Sequence, residues 1–144
     1  SYNSFTLHHR YGKMDFQDDL AGKGITIQVR EGFWELPVSN LRIRGKTLPW
    51  GGGGYFRLIP SSLFAWGVRK IMHTDGAYVL YLHPWEFDPD QPRVKEVSWQ
   101  FGFRHYVNLK RTQAKLERLI RALSDCRFVS CSEYLRLQGL LDCC

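Results

Sequence analysis

The sequence predicts an α/β fold with parallel strands. From residue 60 onward the predicted order is helix, strand, long loop, helix, strand, helix, and such alternation is typical of parallel sheets covered by helices. Residues 77–82 form an almost continuous apolar run, as in a strand buried on both faces. The length of 144 residues fits a single domain. It is too short for a complete eight-stranded α/β barrel, which needs roughly 250 residues.

The first half of the chain is predicted to contain two strands and two loops. Residues 5–24 are interrupted by Gly and Asp and are predicted to be a loop. Residues 25–29 alternate between apolar and polar side chains, which indicates a strand. Residues 33–39 form a second strand near a sheet edge, because Pro37 has no N–H to donate. Residues 48–55 contain four consecutive glycines and are predicted to be a loop whose backbone can approach another group closely.

A helix is predicted to begin at residues 60–62, where Pro-Ser-Ser precedes a periodic apolar pattern. Gly76 is its predicted end. Its apolar face consists of Leu63, Phe64, Trp66, Val68, Ile71 and Met72.

The remainder is predicted to be a loop, a helix, a short strand and a final helix. Residues 87–108 contain two prolines and form the loop. Asn108 can cap a helix that continues to Leu123. The short strand is Phe128-Val129, and Ser130 with Glu133 provides a capping box for a last helix over residues 134–141.

The net charge of +6 is concentrated in residues 91–121, which hold eight basic and two acidic residues. Such a segment can attract nucleic acid or another polyanion. Its basic residues are spread over an ordinary amphipathic helix, so we expect a solvated helix face and no nucleic-acid partner.

No apolar run approaches the ~20 residues of a membrane helix, so no membrane span is expected. No signal peptide is recognisable, and the expected location is cytoplasmic. Four cysteines lie in the last 19 residues, a distribution that favours free thiols over a disulfide framework or a zinc site. They are Cys126, Cys131, Cys143 and Cys144.

His83 is the strongest candidate for chemistry. It directly follows the most apolar predicted strand, and Pro84 ends that strand. Functional groups in parallel α/β sheets gather where strands end, and an imidazole suits acid–base work near neutral pH. The alternative is a structural histidine. The cluster Arg104-His105-Tyr106 precedes a predicted helix and has the same two interpretations, capping and packing or function.

Several blocks of the sequence, in one order, resemble the carboxyl-terminal half of bacterial polysaccharide deacetylases of the NodB-homology family. The branch associated with exopolysaccharide and exosortase loci is the most similar. The resemblance covers roughly residues 2–135. The blocks are Tyr2-Asn3-Ser4, His8-His9-Arg10-Tyr11-Gly12, Glu35-Leu36-Pro37-Val38-Ser39, Gly51-Gly52-Gly53-Gly54-Tyr55-Phe56-Arg57, Tyr81-Leu82-His83-Pro84-Trp85-Glu86-Phe87-Asp88-Pro89 and Phe103-Arg104-His105-Tyr106-Val107-Asn108-Leu109.

The resemblance implies a distorted (β/α) barrel that removes N-acetyl groups from a polysaccharide by metal-dependent hydrolysis. A divalent ion, expected to be zinc, activates the water in this family. His83 matches the histidine that protonates the departing amine, and the positions around Glu35 match a motif that lines the pocket beside it. His9 departs from the family pattern, which usually has Asp there. The residues expected to bind the polysaccharide are Glu35, Tyr55, Arg57, Trp85, Arg104, His105 and Tyr106.

The same resemblance implies that residues 1–144 are a single partial domain, the rear portion of the barrel. The family's metal-binding motifs lie upstream of the matched region, so the chain alone is expected to bind no metal and to be inactive. The missing amino-terminal half of the barrel is then an expected partner. The alternative function is a non-catalytic carbohydrate-binding module, whose aromatic side chains stack on sugars and whose basic segment binds acidic groups. Its candidate aromatic residues are Trp34, Trp50, Tyr55, Trp85 and Trp99.

Overall fold

A computed structural model describes residues 25–94 and 98–141. Over these residues the chain forms a mixed α/β structure, as predicted. The strands are β1 (Ile27–Arg30), β2 (Phe33–Glu35), β3 (Asn40–Ile43) and β4 (Lys46–Pro49). The helices are α1 (Gly53–Leu58), α2 (Ser61–Asp75), α3 (Trp99–Tyr106), α4 (Thr112–Ala122) and α5 (Cys131–Leu137), with 3₁₀ turns at Pro84–Phe87 and Leu109–Arg111.

The described strands form two antiparallel hairpins. β1 pairs with β2, so both early strands are confirmed, although β2 ends two residues before Pro37. β3 pairs with β4 through a turn in which Arg44 and Gly45 both have positive φ, the geometry of a tight two-residue hairpin. The prediction that residues 48–55 form a loop is wrong at both ends of that range, because β4 extends to Pro49 and α1 begins at Gly53.

Helix α2 confirms the predicted helix and its end. Gly76 adopts a left-handed conformation with φ +78°, and its N–H donates to the Met72 carbonyl at 2.9 Å. Phe64, Val68 and Ile71 lie on one face and are buried. This spacing of three and four residues is what an amphipathic helix needs to cover a core. The face packs against β3 and α4.

The core is built around stacked aromatic rings. Trp50 lies parallel to Phe64 with ring centroids 5.5 Å apart, and Phe56 meets Phe64 edge-on at 5.1 Å. The Trp50 indole N–H donates to the Phe64 carbonyl at 3.1 Å, which satisfies its one polar atom. The buried cluster consists of Leu41, Trp50, Phe56, Phe64, Ala65, Val68, Ile71, Leu119 and Leu123.

Residues 77–82 do not form the predicted strand of a parallel sheet. They make one isolated parallel bridge, between Gly52 and Tyr81, in which the Tyr81 N–H donates to the Gly51 carbonyl at 2.7 Å. On the other side, Val79 exchanges hydrogen bonds with Ser39. Both neighbours are irregular segments, so they offer single contacts rather than a ladder. Neither a parallel sheet nor a closed barrel is present in the described ranges.

The carboxyl-terminal region differs from prediction in three places. Helix α3 occupies part of the predicted loop 87–108, and residues 127–130 are not a strand. Asn108 does not cap a helix through its side chain, because it has φ +56° and precedes a 3₁₀ turn. The last helix is confirmed, and the Ser130 hydroxyl accepts the Glu133 N–H at 3.2 Å. It ends at Leu137, shortly before Gly139 turns left-handed with φ +68°.

Some predicted features lie outside the described ranges: the loop over residues 5–24, His9 and the terminal pair Cys143-Cys144. Cys126 and Cys131 are free thiols. No helix between residues 25 and 94 or between 98 and 141 is long and apolar enough to cross a bilayer.

Candidate functional site

His83 lies between two aromatic side chains at the surface. Its ring stacks on the Trp85 indole with centroids 3.9 Å apart and planes 14° apart. Tyr81 meets it edge-on at 4.5 Å, and the Tyr81 hydroxyl lies 3.3 Å from His83 Nδ1. Tyr81 and Trp85 are 43% and 45% exposed, while His83 is half-buried between them. We call these three side chains the Tyr81–His83–Trp85 group.

Glu86 holds the main chain of His83 through two hydrogen bonds, which together close a ring. The His83 N–H donates to Glu86 Oε2 at 2.9 Å, and the Glu86 N–H donates to the His83 carbonyl at 3.0 Å. Pro84 begins the intervening 3₁₀ turn and fixes its own φ. His83 itself is extended, with φ −100° and ψ 148°. The backbone that carries the imidazole is therefore fixed without using the imidazole.

Glu86 is paired with Arg57 in the interior. Arg57 Nη1 lies 3.2 Å from Glu86 Oε1, and the two side chains are only 3% and 6% exposed. Removing one partner of such a buried pair typically costs about 3–5 kcal/mol, because the other charge is left uncompensated. The contact lacks hydrogen-bond geometry, and Nη1 and Nε of Arg57 make no hydrogen bond within the described ranges. Burial lowers the pKa of Arg57, and the Glu86 carboxylate opposes that effect.

Arg57 is held in place from several sides. Its Nη2 donates to the Arg104 carbonyl at 2.9 Å, which joins α1 to α3. The Arg57 carbonyl accepts from Asn108 Nδ2 at 3.1 Å and from Lys115 Nζ at 3.3 Å. Lys115 also donates to the Ile59 carbonyl, and burial lowers its pKa. The end of α1 is thus tied to α3, to the turn at Asn108 and to α4.

Gly53 allows the Glu86 carboxylate to approach the start of α1. A Cβ at position 53 would lie 2.1 Å from both carboxylate oxygens of Glu86, so no larger residue fits without movement. The next residue, Gly54, is different, since a Cβ there would make an ordinary contact of 3.6 Å with Arg104. The predicted close approach of the glycine run is therefore observed, and its target is an internal carboxylate.

Gln91 connects the Tyr81–His83–Trp85 group to α3. Its Nε2 donates to the carbonyls of Trp85 at 2.6 Å and Asp88 at 2.9 Å. Its Oε1 lies 3.0 Å from Nε2 of His105. With the amide oriented in this way, His105 donates from Nε2. His105 is half-buried and supports the loop that carries Trp85.

The other predicted binding residues lie in different surroundings. The Tyr106 hydroxyl accepts the Val94 N–H at 3.0 Å and donates to the Pro92 carbonyl at 3.3 Å. Tyr55 is 40% exposed on α1. Glu35 Oε1 is buried without a hydrogen-bond partner among the described residues, and desolvation raises the pKa of this carboxyl. Over the same residues, no hydrogen bond or ion pair links Glu35 to any member of the Tyr81–His83–Trp85 group.

A groove of about 420 Å³ runs along α3. Trp99 and Phe103 stack within it, with centroids 5.8 Å apart, and Trp99 is 79% exposed. Arg93 lies over the Tyr106 ring at the same groove, 5.4 Å from its centroid. The lining residues are Arg93, Val94, Ser98, Trp99, Gly102, Phe103, Tyr106 and Val107.

The pair Arg57–Glu86 brings together one residue that was predicted for the site and one that was not. Arg57 and Glu86 are 29 positions apart, so no local pattern links them. A signal for Glu86 did exist, since Glu at the third position after His83, with Pro between, is a capping-box spacing. Gln91, Asn108 and Lys115 were not predicted as supports, and their roles are visible only in the folded chain.

The described residues do not fit a metal site. Between residues 25 and 94 and between 98 and 141, no three His, Cys, Asp or Glu side chains come together as potential ligands. At the Tyr81–His83–Trp85 group, the potential metal ligands are the His83 imidazole and the Glu86 carboxylate. The carboxylate is already paired with Arg57 and accepts the His83 N–H.

Comparison with known proteins gives one family match. The family model described as "Domain of unknown function (DUF3473)" matches residues 1–136. No curated protein and no solved structure matches the chain. The matched span contains the Tyr81–His83–Trp85 group, the Arg57–Glu86 pair and the groove along α3.

Proposed function

The chain belongs to the family described as "Domain of unknown function (DUF3473)", and we propose that it forms part of a polysaccharide N-deacetylase in which His83 is the general acid. As part of the same proposal, the chain is the rear portion of a NodB-type barrel. The motif order that resembles the polysaccharide deacetylases supports the activity. The observation that carries the role of His83 is its geometry: a partly exposed imidazole between two aromatic faces, on a backbone fixed by a buried carboxylate.

His83 acts in the step that breaks the amide. Water adds to the carbonyl carbon of the N-acetyl group, and the tetrahedral intermediate then loses the sugar amine. The C–N bonding electrons move to nitrogen, which takes a proton as it leaves, and acetate remains. His83 Nδ1 faces the Tyr81 hydroxyl, so Nε2, which has no hydrogen-bond partner among the described residues, donates this proton. Such proton transfer contributes typically 10²- to 10⁴-fold to a rate.

The aromatic faces suit a sugar substrate. Trp85 covers one face of the imidazole and keeps 45% of its own surface exposed. Exposed aromatic faces beside an acid can stack on a pyranose ring and hold its N-acetyl group next to the imidazole. A divalent ion would supply water activation in the proposed reaction, and the resemblance implies that its ligands lie upstream of the matched region.

Acetate release from an N-acetylated polysaccharide by the full-length protein, which includes the proposed metal-binding half, tests the proposal. We expect His83→Ala and His83→Gln to lower the rate by about 10²- to 10⁴-fold, the range of a lost general acid. His73→Ala is the matched control, because His73 is exposed in the last turn of α2. Equal rates for wild type and both His83 variants would show that His83 is structural. Turnover by the 144-residue chain alone with zinc would show instead that the metal ligands lie within it.

A second candidate function is non-catalytic glycan binding. The observation that favours it is the groove along α3, where Trp99 is 79% exposed and stacks with Phe103. Titration of N-acetylated oligosaccharides against tryptophan fluorescence separates the two functions when it is run on wild type, Trp99→Ser and Trp85→Ser. Saturable binding that is lost only in Trp99→Ser, with no acetate release, supports the binding module.

A further inference from the structure

We infer that the buried Arg57–Glu86 pair is a positioning unit for His83, acting through the His83 main chain. This inference rests on the proposed function, because it assigns residues that orient the proposed acid. Glu86 accepts from the His83 N–H rather than from the imidazole, and Arg57 pairs with Glu86 behind it. Both are therefore positioning residues rather than catalytic ones.

The imidazole needs this support because its own contacts are at the surface. Tyr81 and Trp85 flank the ring, but both are more than two-fifths exposed and can change rotamer. The ring of two hydrogen bonds between His83 and Glu86 fixes the direction of the His83 Cα–Cβ bond. A shift of about 1 Å in a reacting group can cost 10²-fold in rate. Glu86 thus controls where the proton is delivered.

The Glu86 carboxylate cannot shift easily. Gly53 lies against it closely enough to exclude any Cβ, and the side chain is 6% exposed. Arg57 closes the remaining side, and its own guanidinium is held by the Arg104 carbonyl. Since Nε and Nη1 of Arg57 make no hydrogen bond to the described residues, Glu86 is the negative group that compensates this buried cation. The strength of that attraction keeps Glu86 under His83.

Two conservative variants distinguish the contribution of the Glu86 charge from that of its side-chain length. Glu86→Asp keeps the charge opposite Arg57 but shortens the side chain, so it withdraws the acceptor from the His83 N–H. Glu86→Gln keeps the length and an acceptor oxygen but removes the charge. In the full-length protein, we expect Glu86→Asp to lower N-deacetylation by about 10- to 100-fold, the scale of a small misplacement. Glu86→Gln should also lower the rate, because the amide no longer attracts Arg57, but by less than Glu86→Asp, since it still offers an acceptor to the His83 N–H. Melting curves of both variants show that each is folded.

The choice of substrate distinguishes positioning from general damage to the fold. An N-acetylated oligosaccharide needs a proton on its leaving amine, whereas 4-nitrophenyl acetate loses a phenolate that leaves unprotonated. We expect Glu86→Asp to lower the rate of acetate release from the oligosaccharide. The rate of ester hydrolysis should stay within about twofold of the wild-type rate, far less than the 10²-fold effect of a misplaced reacting group. In a His83→Ala background, Glu86→Asp should cause no further loss, because the residue that it positions is gone.

Hydrogen exchange of the His83 amide provides a readout that does not depend on turnover. The amide should exchange slowly in wild type and faster in Glu86→Asp. The inference is overturned if amide and ester hydrolysis fall in parallel, if the loss persists in the His83→Ala background, or if Glu86→Asp keeps full activity while His83→Ala loses it. If His83→Ala keeps the wild-type rate, the proposed function itself is wrong and the positioning role falls with it.

Discussion

The indole of Trp50 lies directly against the backbone of Gly67 in α2. A Cβ at position 67 would be 2.3 Å from Trp50 Nε1 and 2.4 Å from Cε2, a separation that real atoms do not adopt. The same indole nitrogen donates to the Phe64 carbonyl one turn earlier, and its ring stacks on Phe64. The glycine therefore allows α2 to approach the residue that follows β4.

Gly67→Ala should destabilise the protein although alanine is the better helix former. The helix gains about 0.5–1 kcal/mol, but overpacking typically costs 1–3 kcal/mol, and here the neighbour is a rigid ring. We expect a net loss of about 1–2 kcal/mol in the free energy of unfolding, measured by urea denaturation. In a Trp50→Phe background, the smaller ring makes room and the loss due to Gly67→Ala should shrink. A loss of the same size in both backgrounds would mean that the indole is not the cause.

Gly53→Ala should disturb the support of His83. Its methyl group would meet both carboxylate oxygens of Glu86, so either the carboxylate or the first turn of α1 must move. We expect acetate release to fall by about 10-fold or more. The adjacent variant Gly54→Ala is the matched control, because its Cβ makes only an ordinary contact with Arg104. If both variants behave alike, helix propensity rather than the carboxylate contact controls the result.

Glu35→Gln should stabilise the protein at neutral pH. Desolvation raises the pKa of Glu35 in the folded state, and Oε1 is buried without a hydrogen-bond partner among the described residues. Between the unfolded and the raised folded pKa, the folded state binds more protons, so stability falls as the pH rises through that window. Below the ordinary carboxyl pKa of about 4.3 the penalty vanishes. Melting temperatures should therefore favour the variant at pH 7 and converge near pH 4, and a constant difference at all pH values would contradict this.

Lys115→Met should weaken the junction between α1 and α4. The ammonium group donates to the carbonyls of Arg57 and Ile59 and lies 5.5 Å from the centroid of the Phe56 ring. Without it, the Ile59 carbonyl loses its donor, at a cost on the order of 1–3 kcal/mol, while the Arg57 carbonyl keeps the hydrogen bond from Asn108. Lys110→Met is the control, since Lys110 is exposed. Chemical denaturation of both variants checks the difference, and equal midpoints would remove the role of Lys115.

Local signals were enough to predict α2. Pro60 and two serines mark its start, the apolar spacing marks its buried face, and Gly76 marks its end. These features depend on residues within a few positions of one another. The predicted place of His83 at the carboxyl end of a buried parallel strand was wrong, because residues 77–82 make only an isolated bridge.

Features that depend on tertiary contacts were not predictable. The apolar residues 77–82 suggested a buried strand, but the segments beside them offer only an isolated bridge at Gly52 and two hydrogen bonds at Ser39. The turn Arg44-Gly45 lacks the Asn-Gly or Asp-Gly signal of a tight hairpin, so the hairpin of β3 and β4 was missed. The Arg57–Glu86 pair could not be inferred because the two residues meet only after folding.

Glu86 holds residue 83 through the main-chain N–H and carbonyl of that residue, so these two hydrogen bonds do not depend on which side chain the position carries. The main-chain atoms of this residue make the structural hydrogen bonds, and its side chain is the proposed acid. Cysteine, or an imidazole analogue of altered acidity, can therefore be placed at position 83 with both hydrogen bonds to Glu86 retained. A substitution at this position can therefore abolish the proposed reaction and still leave both hydrogen bonds to Glu86 in place.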